Sequence, residues 1–156
     1  MKIPELLNDI LDLNPIFIGI GNESRGDDAA GIKIVKRLND YGYKNTIIVY
    51  ANPENYLNKI ASMTGNCRVW VDIINWGVKA GEIRILTAEE SKQFAISTHN
   101  FSLDILFKFL KYSKTIPDYI LGIQPSTLDL GSNMSRPVRK TVNFLSNYIL
   151  KKMDKQ

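Results

Sequence analysis

One cysteine and one histidine occur in 156 residues, and each scarcity removes a class of chemistry. A single thiol cannot close an internal bridge, so a disulfide scaffold, a Cys-rich zinc module and an iron–sulfur site are excluded; a single imidazole excludes a His-rich zinc site. Long apolar runs are missing too. No segment approaches the roughly 18 apolar residues of a membrane span, and the opening MKIPELLNDILDLN carries acids where a signal peptide is apolar. Charge of one sign is not in large excess: 20 Lys and Arg stand against 16 Asp and Glu, for a net charge of +4. The basic residues are scattered apart from Lys151, Lys152 and Lys155 at the tail. No basic stripe with interleaved aromatics is available for nucleic acid. What is present is 44% hydrophobic residues, enough for one domain of this size to bury roughly 70% of its unfolded surface. These features describe a soluble, cytoplasmic single domain spanning 1–156.

Short β-branched runs alternate with longer amphipathic ones, as in a parallel sheet flanked by helices. Residues 3–12 read as a leading helix. Strands are expected at 16–20, 46–50, 68–74, 82–86 and 119–123. The run at 16–20 is continuously apolar, as for a strand buried on both faces, whereas 82–86 alternates like an edge strand. Helices are expected from Ala30 to Asn39, from Pro53 to about Thr64, from Phe101 to Tyr112 and from Pro137 to Met153. The order α-β-α-β-α-β-β-α-β-α is that of a three-layer α/β domain, an αβα sandwich around a mostly parallel sheet of about five strands.

In open α/β sheets the working crevice lies beyond the carboxyl ends of the strands. The first strand runs out into Gly21-Asn22-Glu23-Ser24-Arg25-Gly26-Asp27-Asp28, the third ends at Asp72, and Ser97-Thr98-His99-Asn100 precedes a helix that returns to the sheet. Asp28, Asp72 and His99 form an O/O/N set suited to a borderline divalent ion with coordination positions left open. A second reading stands beside it: Asp27 and Asp28 as acids at a helix amino terminus, worth about 0.3–1 kcal/mol each, and His99 as a structural imidazole. Asp72 resists that alternative, because a carboxylate within an apolar strand must lie at a strand end or face a polar cavity.

The Gly19-Ile20-Gly21 turn also admits a dinucleotide reading, which the spacing opposes. The glycines run G-x-G-x-x-x-x-G, two acids at the helix start repel phosphate, and no acid follows the second strand to hold a ribose. Ser24 lacks the glycine that a nucleophile elbow needs two residues earlier. Cys67, with no second histidine to activate it, and Trp70 read as core. Trp76 is poised between packing and lining the cleft.

Taken together, Gly19-Ile20-Gly21-Asn22, Arg25-Gly26-Asp27-Asp28 with Gly31, Val71-Asp72, Gly81-Glu82-Ile83-Arg84-Ile85, Ser97-Thr98-His99-Asn100 and Leu121-Gly122-Ile123-Gln124-Pro125 resemble the nickel–iron hydrogenase maturation endopeptidases, in particular the branch that processes the hydrogenase 3 large subunit. The likeness covers about residues 15–145, leaving 1–14 as a leading helical extension and 146–156 as the end of the closing helix with a basic tail. It implies a phosphorylase/hydrolase-like αβα fold with a twisted sheet. It also implies an endopeptidase, aspartic-type or nickel-dependent, that removes the carboxyl-terminal extension of the large-subunit precursor after nickel insertion. The family's metal-contacting positions fall on Asp28, Asp72 and His99. Where the family carries Asp-Gly-Gly after its second strand, this chain has Val49-Tyr50-Ala51-Asn52.

The expectation is therefore that Asp28, Asp72 and His99 meet nickel supplied by the precursor, with no permanently bound metal and no nucleotide. Asp27 is the candidate general base, Asn22 is a candidate to orient loop or substrate, and Asn100 and Gln124 are candidate cleft residues. The partner is the precursor, without nucleic acid or a membrane span. A non-catalytic nickel-sensing chaperone for the same precursor is the rival from another class, and a dinucleotide-binding domain the weaker one.

Overall fold

The computed structural model describes residues 2–94 and 103–154. Five strands, β1 (Pro15–Ile20), β2 (Thr46–Tyr50), β3 (Cys67–Ile73), β4 (Ile83–Thr87) and β5 (Asp118–Ile123), form one sheet in the order β2-β1-β3-β5-β4. Only β4 runs antiparallel to its neighbour. The helices are α1 (Glu5–Leu11), α2 (Ala30–Asp40), α3 (Leu57–Ser62), α4 (Ala88–Ser91), α5 (Leu103–Ser113) and α6 (Arg136–Met153), with 3-10 turns at Gly26–Ala29 and Pro53–Tyr56.

The period-2 alternation of strand side chains sorts the core into two layers. Phe17, Val69, Val71 and Leu121 join residues of α1, α2 and α6 on one face. Ile16, Ile18, Ile20, Trp70 and Ile120 join residues of α3 and α5 on the other. β1 and β3 are buried along their whole length because helices cover both faces. The expected αβα architecture is the one observed.

Two local differences have simple causes. The helix expected from Pro53 begins instead as a 3-10 turn, and the continuous α-helix covers only Leu57–Ser62. The polar stretch after β4 contains α4, one turn nucleated by a capping box in which Thr87 and Glu90 exchange hydrogen bonds of 3.2 and 2.8 Å. The leading segment is not an appendage to the core. Leu7, Ile10 and Leu11 are fully buried in the same cluster as Leu145 and Ile149 of α6, and the Tyr148 hydroxyl bonds to the Asn8 side chain across that contact.

Candidate active site

The site is assembled where β1 and β3 end. Beyond Ile20 the chain turns at Gly21 (φ 144°), whose N–H donates to the Tyr50 carbonyl at 3.1 Å. A Cβ at Gly21 would stand 1.8 Å from the Asp28 carbonyl oxygen, so only glycine lets the loop fold back on itself. That return is held by Asn22 N–H donating to the Asp28 carbonyl (3.2 Å) and by Asp28 N–H donating to the Arg25 carbonyl (3.1 Å). The Asn22 side chain accepts from Ser24 N–H at 2.9 Å, so Asn22 shapes the loop.

Gly31 then brings this loop over the sheet. A Cβ at Gly31 would lie 2.1 Å from the Val71 carbonyl oxygen and 2.5 Å from that of Ile20. The first turn of α2 therefore rests directly on the carboxyl ends of β1 and β3, with Asp28 one turn before the contact and Asp72 next after Val71. Both aspartates are buried. Asp72 Oδ1 accepts the Ile73 N–H at 2.8 Å, and strand alternation directs Asp72 to the face shared with Trp70 and α5.

His99 lies in the segment 95–102, outside the described residues, as does Asn100. The residues bounding that segment, Phe94 and Leu103, both pack on the same face as Trp70. Since α5 delivers the chain to the start of β5, its first residue, Leu103, belongs at the carboxyl end of the sheet, where Asp72 lies. Among the described residues no group of three His, Cys, Asp or Glu side chains is arranged to hold a metal ion.

The carboxylate of Asp27, the expected general base, is engaged by four donors. Its Oδ1 accepts Ser135 N–H (2.7 Å), and its Oδ2 accepts Ser126 N–H (2.7 Å), Thr127 N–H (3.0 Å) and the Ser135 hydroxyl (2.9 Å). With its own N–H donating to the Thr127 carbonyl at 3.0 Å, Asp27 ties the loop after β1 to the loop after β5 and to the start of α6. Four donors on one buried carboxylate give it a positioning role. Arg25 Nε donating to the Leu128 carbonyl (3.1 Å) and Gly131 N–H donating to the Ser24 carbonyl (2.8 Å) extend the seam. Gln124 is buried beside it, accepting from Trp76 N–H (2.9 Å) and donating to Asn75 Oδ1 (3.0 Å), which anchors the exit from β3.

A family model described as hydrogenase maturation protease matches residues 32–152. The chain belongs to the hydrogenase maturation protease family. The match includes Asp72 and His99 and begins just after Asp28. The hydrogenase 3 maturation protease of Escherichia coli K12 is 28% identical to this protease over 134 residues, 83% of this chain and 85% of the relative. A hydrogenase maturation protease of Thermococcus kodakarensis superposes with a TM-score of 0.86 at 28% identity, covering 96% of this chain and 99% of that one. A crystal structure of the hydrogenase 3 maturation protease gives a TM-score of 0.74 at 26% identity, with 89% and 90% covered. The chain is accordingly a peptidase with the α/β fold of these relatives.

Sequence reasoning missed the protease's charged pair at the other end of the sheet. Arg68, second in β3, and Asp118, first in β5, pair in direct register on adjacent parallel strands; Nε and Nη2 of Arg68 donate to Oδ1 and Oδ2 of Asp118 at 2.7 and 2.9 Å, and Trp70 Nε1 donates to Oδ1 at 2.9 Å. The signal was an acid and a base each opening an apolar run. Cys67 is core, as expected: burial, with a smaller push from Asp118, raises its thiol to about 11, so it is not a thiolate nucleophile at neutral pH.

Proposed function

We propose that this protease removes the carboxyl-terminal extension of a nickel–iron hydrogenase large-subunit precursor after nickel insertion, with the precursor's own nickel as the recognition signal. The observation that carries the reading is the seating of α2 on the carboxyl ends of β1 and β3 through Gly31, which brings Asp28 and Asp72 to one end of the sheet. Two carboxylates and the His99 imidazole complete an open coordination sphere on nickel that the precursor already holds by thiolates, the softer ligands. The metal is then part of the substrate. A precursor without nickel lacks the group these residues bind and stays uncut, which sets the timing of cleavage. Asp27 acts through the loop it holds, keeping Asp28 in register with Asp72.

The test is mass analysis of nickel-loaded and nickel-free precursor after incubation with the wild-type protease and with Asp28→Asn, Asp72→Asn and His99→Ala. Shortening of the loaded precursor alone by the wild type, with a loss of at least 100-fold in each variant (~3 kcal/mol in the barrier), is the expected result. Equal cutting of both precursors removes the nickel signal. Near-normal cutting by His99→Ala removes the proposed ligand set. A precursor that is bound but never shortened indicates a chaperone.

A further inference from the structure

A second concave feature lies away from the aspartates. It is a groove of about 1100 Å³ between residues 2–5, the turn before β4 and the first turns of α6. Its apolar lining includes Ile3, Pro4, Ile83 and Pro137, and its charged lining is Lys2, Lys79, Arg136 and Lys140 against Glu5 and Glu82. All four cations are exposed, and none forms an ion pair among the described residues, where Arg68, Lys92 and Lys108 supply the cations of every pair. The groove is preformed. The Thr141 hydroxyl, in α6, donates to the Gly81 carbonyl at 2.6 Å, and Gly81 N–H donates to the Gln124 carbonyl at 2.8 Å.

The groove is also joined to the candidate active site. Arg136 follows Ser135, which donates twice to Asp27, and Gln124 binds both Gly81 and Trp76. We infer that this groove is a docking site for an acidic, partly apolar peptide segment of the protein substrate. The inference rests on the protease reading above. An apolar floor rimmed by four cations that form no ion pair among the described residues fits side chains that alternate carboxylate and hydrocarbon. The volume exceeds what one small anion fills and stands at the upper end of small-molecule pockets. Opposite charge speeds encounter and fixes register, so a segment held here orients the precursor while its cleavage site lies at Asp28 and Asp72.

The experiment uses the full chain and a fluorescein-labelled peptide of alternating Glu and Leu, with a Gln/Leu peptide and a single-stranded oligonucleotide as comparisons. Lys79→Glu/Lys140→Glu is the variant, its fold checked by circular dichroism; Lys79→Gln/Lys140→Gln is the milder second. Expected are anisotropy-detected binding of the Glu/Leu peptide at least tenfold tighter than of the Gln/Leu peptide, weakening at least tenfold in the Glu variant, and a KM for the precursor raised about tenfold with kcat unchanged. Equal binding of the two peptides, preference for the oligonucleotide, or an unchanged KM overturns the inference. A wild-type protein that leaves nickel-loaded precursor uncut overturns the proposed function instead, and the peptide measurements then decide the groove alone.

Discussion

Asp27 and Asp28 are adjacent and both buried, and four donors from the β5–α6 region converge on the Asp27 carboxylate. Asp27→Ala leaves three N–H groups without their acceptor and is expected to destabilise the protein by about 2–5 kcal/mol in urea unfolding. Asp27→Asn offers one acceptor oxygen in place of two and should give little rescue. Asp28→Asn should lose precursor cleavage. A buried thiol and a half-buried phenol weaken the fold at alkaline pH. Burial raises the Cys67 thiol from 9.0 to about 11 and the Tyr43 phenol from 10.0 to about 12. Between pH 9 and 11 the unfolded thiol releases its proton before the folded one does, so the folded state binds more protons and stability falls as pH rises. The thiol's contribution is full below pH 9 and lost by about pH 11. Urea midpoints measured across that range should decline in the wild type and decline less steeply in Cys67→Ala.

Contacts between elements fix where the candidate site residues stand. The seating of α2 on β1 and β3 has no room for one methyl group at Gly31. Gly31→Ala is expected to lower stability by about 2–3 kcal/mol, a Tm fall of roughly 5–10 °C, and to reduce cleavage beyond that loss because Asp28 moves with the helix. At the opposite end of the sheet the Arg68–Asp118 pair is buried and bidentate, with Trp70 as a third member. Arg68→Met alone strands a buried carboxylate and should cost about 3–5 kcal/mol. Arg68→Met with Asp118→Leu should be milder than either single change, leaving mainly the Trp70 N–H to be satisfied, as a double-mutant cycle by denaturant unfolding would measure.

At the scale of the whole molecule, α1 closes the apolar face of α6, and its three buried side chains each contribute about 1.5–3 kcal/mol. That sum rivals the total stability of an ordinary domain. Removal of residues 1–13 should therefore expose the core, with dye binding and loss of the cooperative melt, whereas Ile10→Ala should cost about 2–4 kcal/mol and keep cleavage. Much of this molecule was legible in its sequence. Continuous apolar runs marked the doubly buried strands, the amphipathic stretches marked the helices, and the ordered set from Gly19 to Pro125 marked the family. These are properties of local pattern, which a linear chain carries in full. The short α4 turn escaped because a capping box in a polar stretch has no apolar periodicity. Strand order β2-β1-β3-β5-β4 was not legible, nor was the clasp of Asp27 by Ser126, Thr127 and Ser135, about a hundred residues away. Such contacts join distant segments, and a carboxylate in a loop looks alike in sequence whether it faces substrate or four N–H and O–H donors. The sequence alone determined the elements, the family and the residues worth testing; the tertiary structure decided that Asp27 positions the loop and that the leading helix is core, because burial and hydrogen-bond partners arise only when the layers pack.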